Sequence, residues 1–123
     1  MKTYTTTLNK LFDIRQLINN NNIMNLAFSG KVALSIARNI KKMDDELAEY
    51  SKARDSLIQK YSDDGISMNV SNPHWSEFAK ELAEIGSVEV SIDINTITEN
   101  ELSPDMTPAA CIAIEFMIEE SVE

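Results

Sequence analysis

A chain of 123 residues with one cysteine and one histidine is sized for a single domain, 1–123, burying about two thirds of its unfolded surface without metal or disulfide staples. The lone Cys111 excludes an internal disulfide, and Cys111 and His74 are too few for Cys-rich or paired-His zinc sites. The formal net charge of −9 is unevenly divided: residues 1–61 carry ten Lys or Arg against six Asp or Glu, residues 62–123 one against fourteen. Such a division either draws the two halves together or presents a negative surface to a basic partner.

Thr3 to Leu8 alternates, with Tyr4, Thr6 and Leu8 on one side and threonines on the other, which predicts a strand at a sheet edge. From Asn9 the period becomes helical, Leu11, Ile14, Leu17 and Ile18 sharing a face with Phe12 beside it. This helix is expected to stop in Asn19 to Asn22, because asparagine tolerates turn and left-handed conformations. Ile23, Met24, Leu26 and Phe28 then lead into the dominant element. From Ser29 to Ser62, Ala33, Ile36, Ile40, Met43, Leu47, Tyr50, Leu57 and Tyr61 recur on one stripe, with Arg54 in the place between Tyr50 and Leu57. That stripe predicts a helix of about eight turns, on the order of 50 Å long. Ser29 is placed to cap it and Gly65 to end it. Its alternation of threes and fours suits packing on another helix, within the chain or on a second copy.

Beyond Gly65, Ile66, Met68 and Val70 alternate with Ser67 and Asn69, predicting a short strand. Asn72-Pro73 reads as a helix start, with Trp75, Phe78, Ala79 and Leu82 on the buried face and Gly86 at the end. The clearest strand follows, Val88, Val90, Ile92 and Ile94 alternating with Glu89, Ser91, Asp93 and Asn95. Paired with 66–70 it would form a parallel crossover, an antiparallel arrangement being the other solution. Thr96 to Asp105 reads as an acidic loop. Thr107-Pro108 then opens a helix over Ala109–Ile118, apolar on nearly every side except Glu115, which requires burial all round or an oligomer interface.

Few residues point to catalysis. Ser29-Gly30-Lys31 sets a Gly-Lys pair before a helix, but the earlier glycine of a phosphate loop is missing and Val32 replaces its Ser or Thr. Glu89 and Asp93 share one strand face within about 14 Å, a solvated face rather than an acid–base or metal pair. Lys31, Arg38, Lys41 and Lys42 cluster on the first turns of the long helix, yet Asp44, Asp45, Glu46 and Glu49 follow without interleaved aromatics, which argues against nucleic-acid binding. Arg54 either packs its stem and sends its head to water or pairs with a carboxylate of the acidic half. Cys111, inside an apolar run, reads as an inert core thiol. No stretch has the apolar run of a signal peptide or membrane span, so the expectation is a cytoplasmic protein with no membrane partner.

The segments FDIRQLINN, SGKVALSIARNIKKMDDEL, SLIQKYSDDG and WSEFAKELAEIGSVEVSIDIN, within roughly Leu8 to Ile94, together resemble small phage and prophage proteins of domain of unknown function family 1617. The resemblance implies a phage-type origin and carries no activity or site residues. The residues themselves predict an α+β domain with one long helix, two to three shorter helices and a small two- to three-stranded sheet. Functionally they predict a non-enzymatic, cofactor-free acidic protein that binds a basic protein partner through Glu89, Asp93, Glu99, Glu101 and Asp105. With the phage-type origin that the resemblance implies, an inhibitor of a host nucleic-acid-binding or defence protein is one form of it. The alternative is a phage structural or assembly protein that self-associates through Ile114, Ile118, Tyr50 and Arg54.

Overall fold

A computed structural model describes residues 2–119. Its order is β1 (Lys2–Thr7), α1 (Leu8–Asn20), α2 (Gly30–Tyr61), α3 (Trp75–Gly86), β2 (Glu89–Ile94) and α4 (Pro108–Ile114), with 3-10 turns at Ile23–Asn25, Glu99–Glu101 and Glu115–Met117. The fold is α+β: four helices, one of them long, with a two-stranded antiparallel sheet.

α2 runs unbroken for 32 residues, about 48 Å. The Ser29 hydroxyl caps it by accepting from the Val32 N–H at 3.4 Å. Ser62, in extended conformation, ends it. Gly65 serves the following turn instead, at φ 70°, where the Asp64 carboxylate accepts from the N–H groups of Ile66 and Ser67 at 2.9 and 3.1 Å. The buried stripe is Val32, Ile36, Asn39, Ile40, Met43, Leu47, Tyr50 and Ile58, so Val32 takes the place expected of Ala33. Three elements cover this stripe in turn. The end of β2 meets its first half through Asn39 and Lys42. α1 crosses its middle, where Phe12 meets Tyr50 with ring centroids 5.4 Å apart and Arg15 Nε lies 2.7 Å from Asp44 Oδ1. α3 lies along its last turns, where Lys60 reaches Glu81 at 3.6 Å. The apolar stripe, though not the rest of the helix, is thus covered within the chain.

The sheet differs from the expected one. β2 pairs with β1, antiparallel, in a register running from Lys2 opposite Ile94 to Thr7 opposite Glu89. The strand expected at 66–70 does not form, and Ile66 and Val70 are 81% and 77% exposed. Side chains there bind their own backbone: Asp64 as above, Asn69 Oδ1 to the Ser71 N–H at 3.0 Å, and Asn72 Oδ1 to the His74 N–H at 2.7 Å. Such local bonds replace those a ladder would offer. Asn72-Pro73 accordingly forms a turn, with the Trp75 N–H on the Asn72 carbonyl at 3.0 Å, and α3 starts two residues later than its predicted first turn.

The C-terminal helix is also shorter than predicted. Thr107 caps α4 by accepting from the Ala110 N–H at 3.1 Å, and the helix tightens into the 3-10 turn after Ile114. Ile118 leaves it to bridge Ile97 in parallel, with the Ile97 N–H on the Met117 carbonyl at 2.9 Å and the Glu119 N–H on the Ile97 carbonyl at 2.7 Å. Two residues expected at a self-association face are interior: Ile114 and Tyr50 belong to the core with Leu11, Ile18, Met43, Ile94 and Met117, because α4 packs its Ile114 side against α1 and Tyr50 is covered by α1 and α3. Among the described residues no helix is long and apolar enough to cross a membrane.

Candidate protein-binding cleft

The outer side of α4 and the turn after β2 enclose an open cleft of about 500 Å³, lined by Lys2, Glu99, Leu102, Cys111, Ile112, Glu115, Ile118 and Glu119. Two local devices build it. On one wall, Glu101 Oε1 accepts from both the N–H and the hydroxyl of Thr98, each at 2.9 Å, which closes the 3-10 turn and turns Glu99 outward. These bonds, chiefly the backbone one, hold the Glu101 carboxyl below its ordinary value, with Lys31 adding to the same effect. On the other wall, Ala110, Ala113, Ile114 and Met117 anchor α4 and its 3-10 turn inward, leaving Cys111, Ile112 and Glu115 on the outer side. The Ile97–Ile118 bridge joins the walls.

The cleft therefore has an apolar floor, Leu102, Ile112 and Ile118, and a rim of three carboxylates, Glu99, Glu115 and Glu119, opposed among the described residues by the single ammonium of Lys2. Ile112 is 64% exposed, a large apolar side chain open to water beside three charges. None of the three rim carboxylates pairs with a Lys or Arg among the described residues. In that set the single ion pair joining the basic first half to the acidic second half is Lys60–Glu81. Mutual neutralisation of the halves is accordingly slight.

Of the five carboxylates predicted to bind a partner, the structure brings only Glu99 to the cleft. Glu101 is engaged in its own turn, and Asp105 is exposed in the loop before α4. Glu89 and Asp93 lie on the outer face of the sheet, where Asp93 Oδ1 accepts from the Thr3 hydroxyl at 3.1 Å and the hydroxyls of Thr5 and Ser91 meet at 2.8 Å. Of the predicted self-association residues, Ile118 lines the cleft. Arg54 lies 5.6 Å over the Phe12 ring, with the Asp55 carboxylate of its own helix 4.0 Å away. The ion pairs that join other helices to α2 are Arg15–Asp44 and Lys60–Glu81, and Arg54 pairs with no carboxylate of the acidic half among the described residues. Glu115 stands out in the sequence only as the lone charge on an apolar helix, and Glu119 follows four residues later; neither is among the residues expected to bind a partner.

Among the described residues no group of three or more His, Cys, Asp or Glu is placed to hold a metal ion. His74 Nδ1 lies 3.3 Å from Glu77 Oε2 at the exposed start of α3. Neither a known protein family, nor a curated protein, nor a solved structure matches this chain.

Proposed function

We propose that this protein acts without catalysis, by binding another protein whose docking segment carries an apolar side chain flanked by Lys or Arg. The observation that carries this reading is the juxtaposition in one cleft of apolar side chains, Ile112 the most open of them, with three carboxylates that no Lys or Arg pairs among the described residues. An apolar floor contributes affinity through burial, and a charged rim contributes partner choice and a faster encounter. Asp93, opposite Thr3 and so next to the cleft-lining Lys2, Glu89 at the far end of the sheet opposite Thr7, and the exposed Asp105 add to the negative field of this half of the chain without lining the cleft, and so steer a cation rather than bind it. In a phage setting, as the resemblance to phage and prophage proteins suggests, such a surface occupies a host protein's phosphate-binding site and inhibits a nucleic-acid-binding or defence protein.

The test is affinity capture from a cell lysate with the wild-type chain and with a Glu99→Gln/Glu115→Gln/Glu119→Gln variant, each at about 50 mM and about 500 mM salt. The expected result is a set of basic proteins retained by the wild type at low salt and released both by salt and by the triple substitution. Equal recovery by both chains at both salt concentrations defeats the reading. A captured protein is then tested for loss of nucleic-acid binding when this chain is added.

A further inference from the structure

α2 carries an exposed surface opposite to its core stripe. Lys31, Leu34, Arg38 and Lys41 follow one another in steps of three and four, which places them on one side of a helix. All four are exposed; Lys41 reaches Asp45 of its own helix at 3.4 Å in a surface pair, Lys31 acts on Glu101 from a distance, and Leu34, at 50% exposure, is an apolar side chain set among these cations. This is the inverse of the cleft, where Ile112 stands among Glu99, Glu115 and Glu119. We propose that, when no other partner is bound, the cleft is occupied by this face of α2 from a second copy of the chain. The inference rests on the reading of the cleft as a protein-binding site, and it adds the identity of one occupant.

The two patches are different surfaces, so the contact is head-to-tail: each copy offers a cleft to one neighbour and a cationic face to another. Such heterologous contacts build rings or open chains rather than closed two-fold dimers. The net charge of −9 opposes association at long range. At about 150 mM salt, however, the Debye length is about 8 Å, so repulsion between the bodies of two copies is screened while charges in contact across the interface are not. A more basic partner competes for the same cleft, and self-association then holds the cleft covered until that partner arrives.

The experiment exploits the polarity of the contact. A face variant, Arg38→Glu/Lys41→Glu, keeps an intact cleft; a cleft variant, Glu115→Lys/Glu119→Lys, keeps an intact face. Mass is measured by light scattering at about 150 mM salt, from about 10 μM to about 1 mM chain. Alkylation of Cys111, the sole cysteine and a cleft-lining residue, is timed in the same samples. Wild type is expected to grow in mass with concentration while its Cys111 is progressively protected. Each variant alone stays monomeric, its association weakened at least about tenfold by like charges in contact. An equimolar mixture stops at twice the mass of one chain, with Cys111 protected in the face variant only. A monomeric wild type across the whole range overturns the proposal. So does an oligomer that both variants retain, or a mixture that fails to pair. Lysate capture by the face variant separates the two readings. A monomeric wild type whose partners still depend on the cleft removes only the second copy, whereas cleft-independent capture removes the partner reading.

Discussion

Asn39 has no exposed surface and lies within the aliphatic stripe of α2. Its amide is nevertheless satisfied, because Nδ2 donates to the Asn95 carbonyl at 2.9 Å and Oδ1 accepts from the Asn95 N–H at 2.8 Å. The side chain acts as a strand edge two atoms wide, continuing beyond β2 the hydrogen bonding that the sheet has ended, and it fixes where the sheet sits along the long helix. Asn39→Ala strips both partners from Asn95 in a partly buried setting, where each unmet backbone group costs about 1–3 kcal/mol. The expected loss is about 2–3 kcal/mol, read as a lower urea midpoint at unchanged slope. A change below about 0.5 kcal/mol would mean that water replaces the amide without penalty.

Among elements, the contact of α3 with α1 rests on a missing side chain. Gly86 closes α3, and a Cβ there would stand 2.8 Å from the Cβ of Asn9 and 3.6 Å from Cε2 of Tyr50. In an isolated helix Gly→Ala stabilises by about 1 kcal/mol. Here the obstruction is an atom next to the α1 backbone, which cannot swing aside, and overpacking of that kind costs about 1–3 kcal/mol. Gly86→Ala is therefore expected to lower the melting temperature. In an Asn9→Gly background, which removes the obstructing Cβ, the same substitution should become neutral or favourable. Thermal melts of the four chains of this double-mutant cycle decide it, and additive effects would show that the contact is not what limits residue 86.

For the whole molecule, electrostatics is a matter of imbalance rather than of pairing. The Arg15–Asp44 contact at 2.7 Å involves the least exposed side chain of any ion pair among the described residues, that of Arg15. Most of the other pairs are surface contacts at 3.3 Å or longer, of the kind that contributes little to stability. Excess negative charge repels itself across the folded surface. Raising salt from about 20 mM to about 500 mM is expected to raise the melting temperature, because screening weakens that repulsion more than it weakens pairs already in water. A fall in melting temperature over that range would show that the exposed pairs outweigh the repulsion.

What could be read from the sequence is what is written within a few residues of itself. The alternation of Val90, Ile92 and Ile94, the stripe from Ile36 to Tyr50, the Ser29 and Thr107 caps and the split of charge between the halves all appear in the structure. Strand periodicity, helix periodicity and capping act over at most about one turn or one strand, so local order suffices to state them. The alternation at Ile66–Val70 is as regular as that of a real strand, and only the absence of a ladder partner, together with Asp64, Asn69 and Asn72 binding their own backbone, leaves it irregular. Strand pairing, the burial of Asn39, the interior position of Ile114 and the meeting of Glu99 with Glu115 and Glu119 were decided by tertiary structure. The Lys2–Ile94 register joins residues from opposite ends of the chain, and the cleft draws its walls from three separate segments. Contacts of that kind depend on which surfaces the helices leave uncovered once packed, a quantity that no local pattern contains.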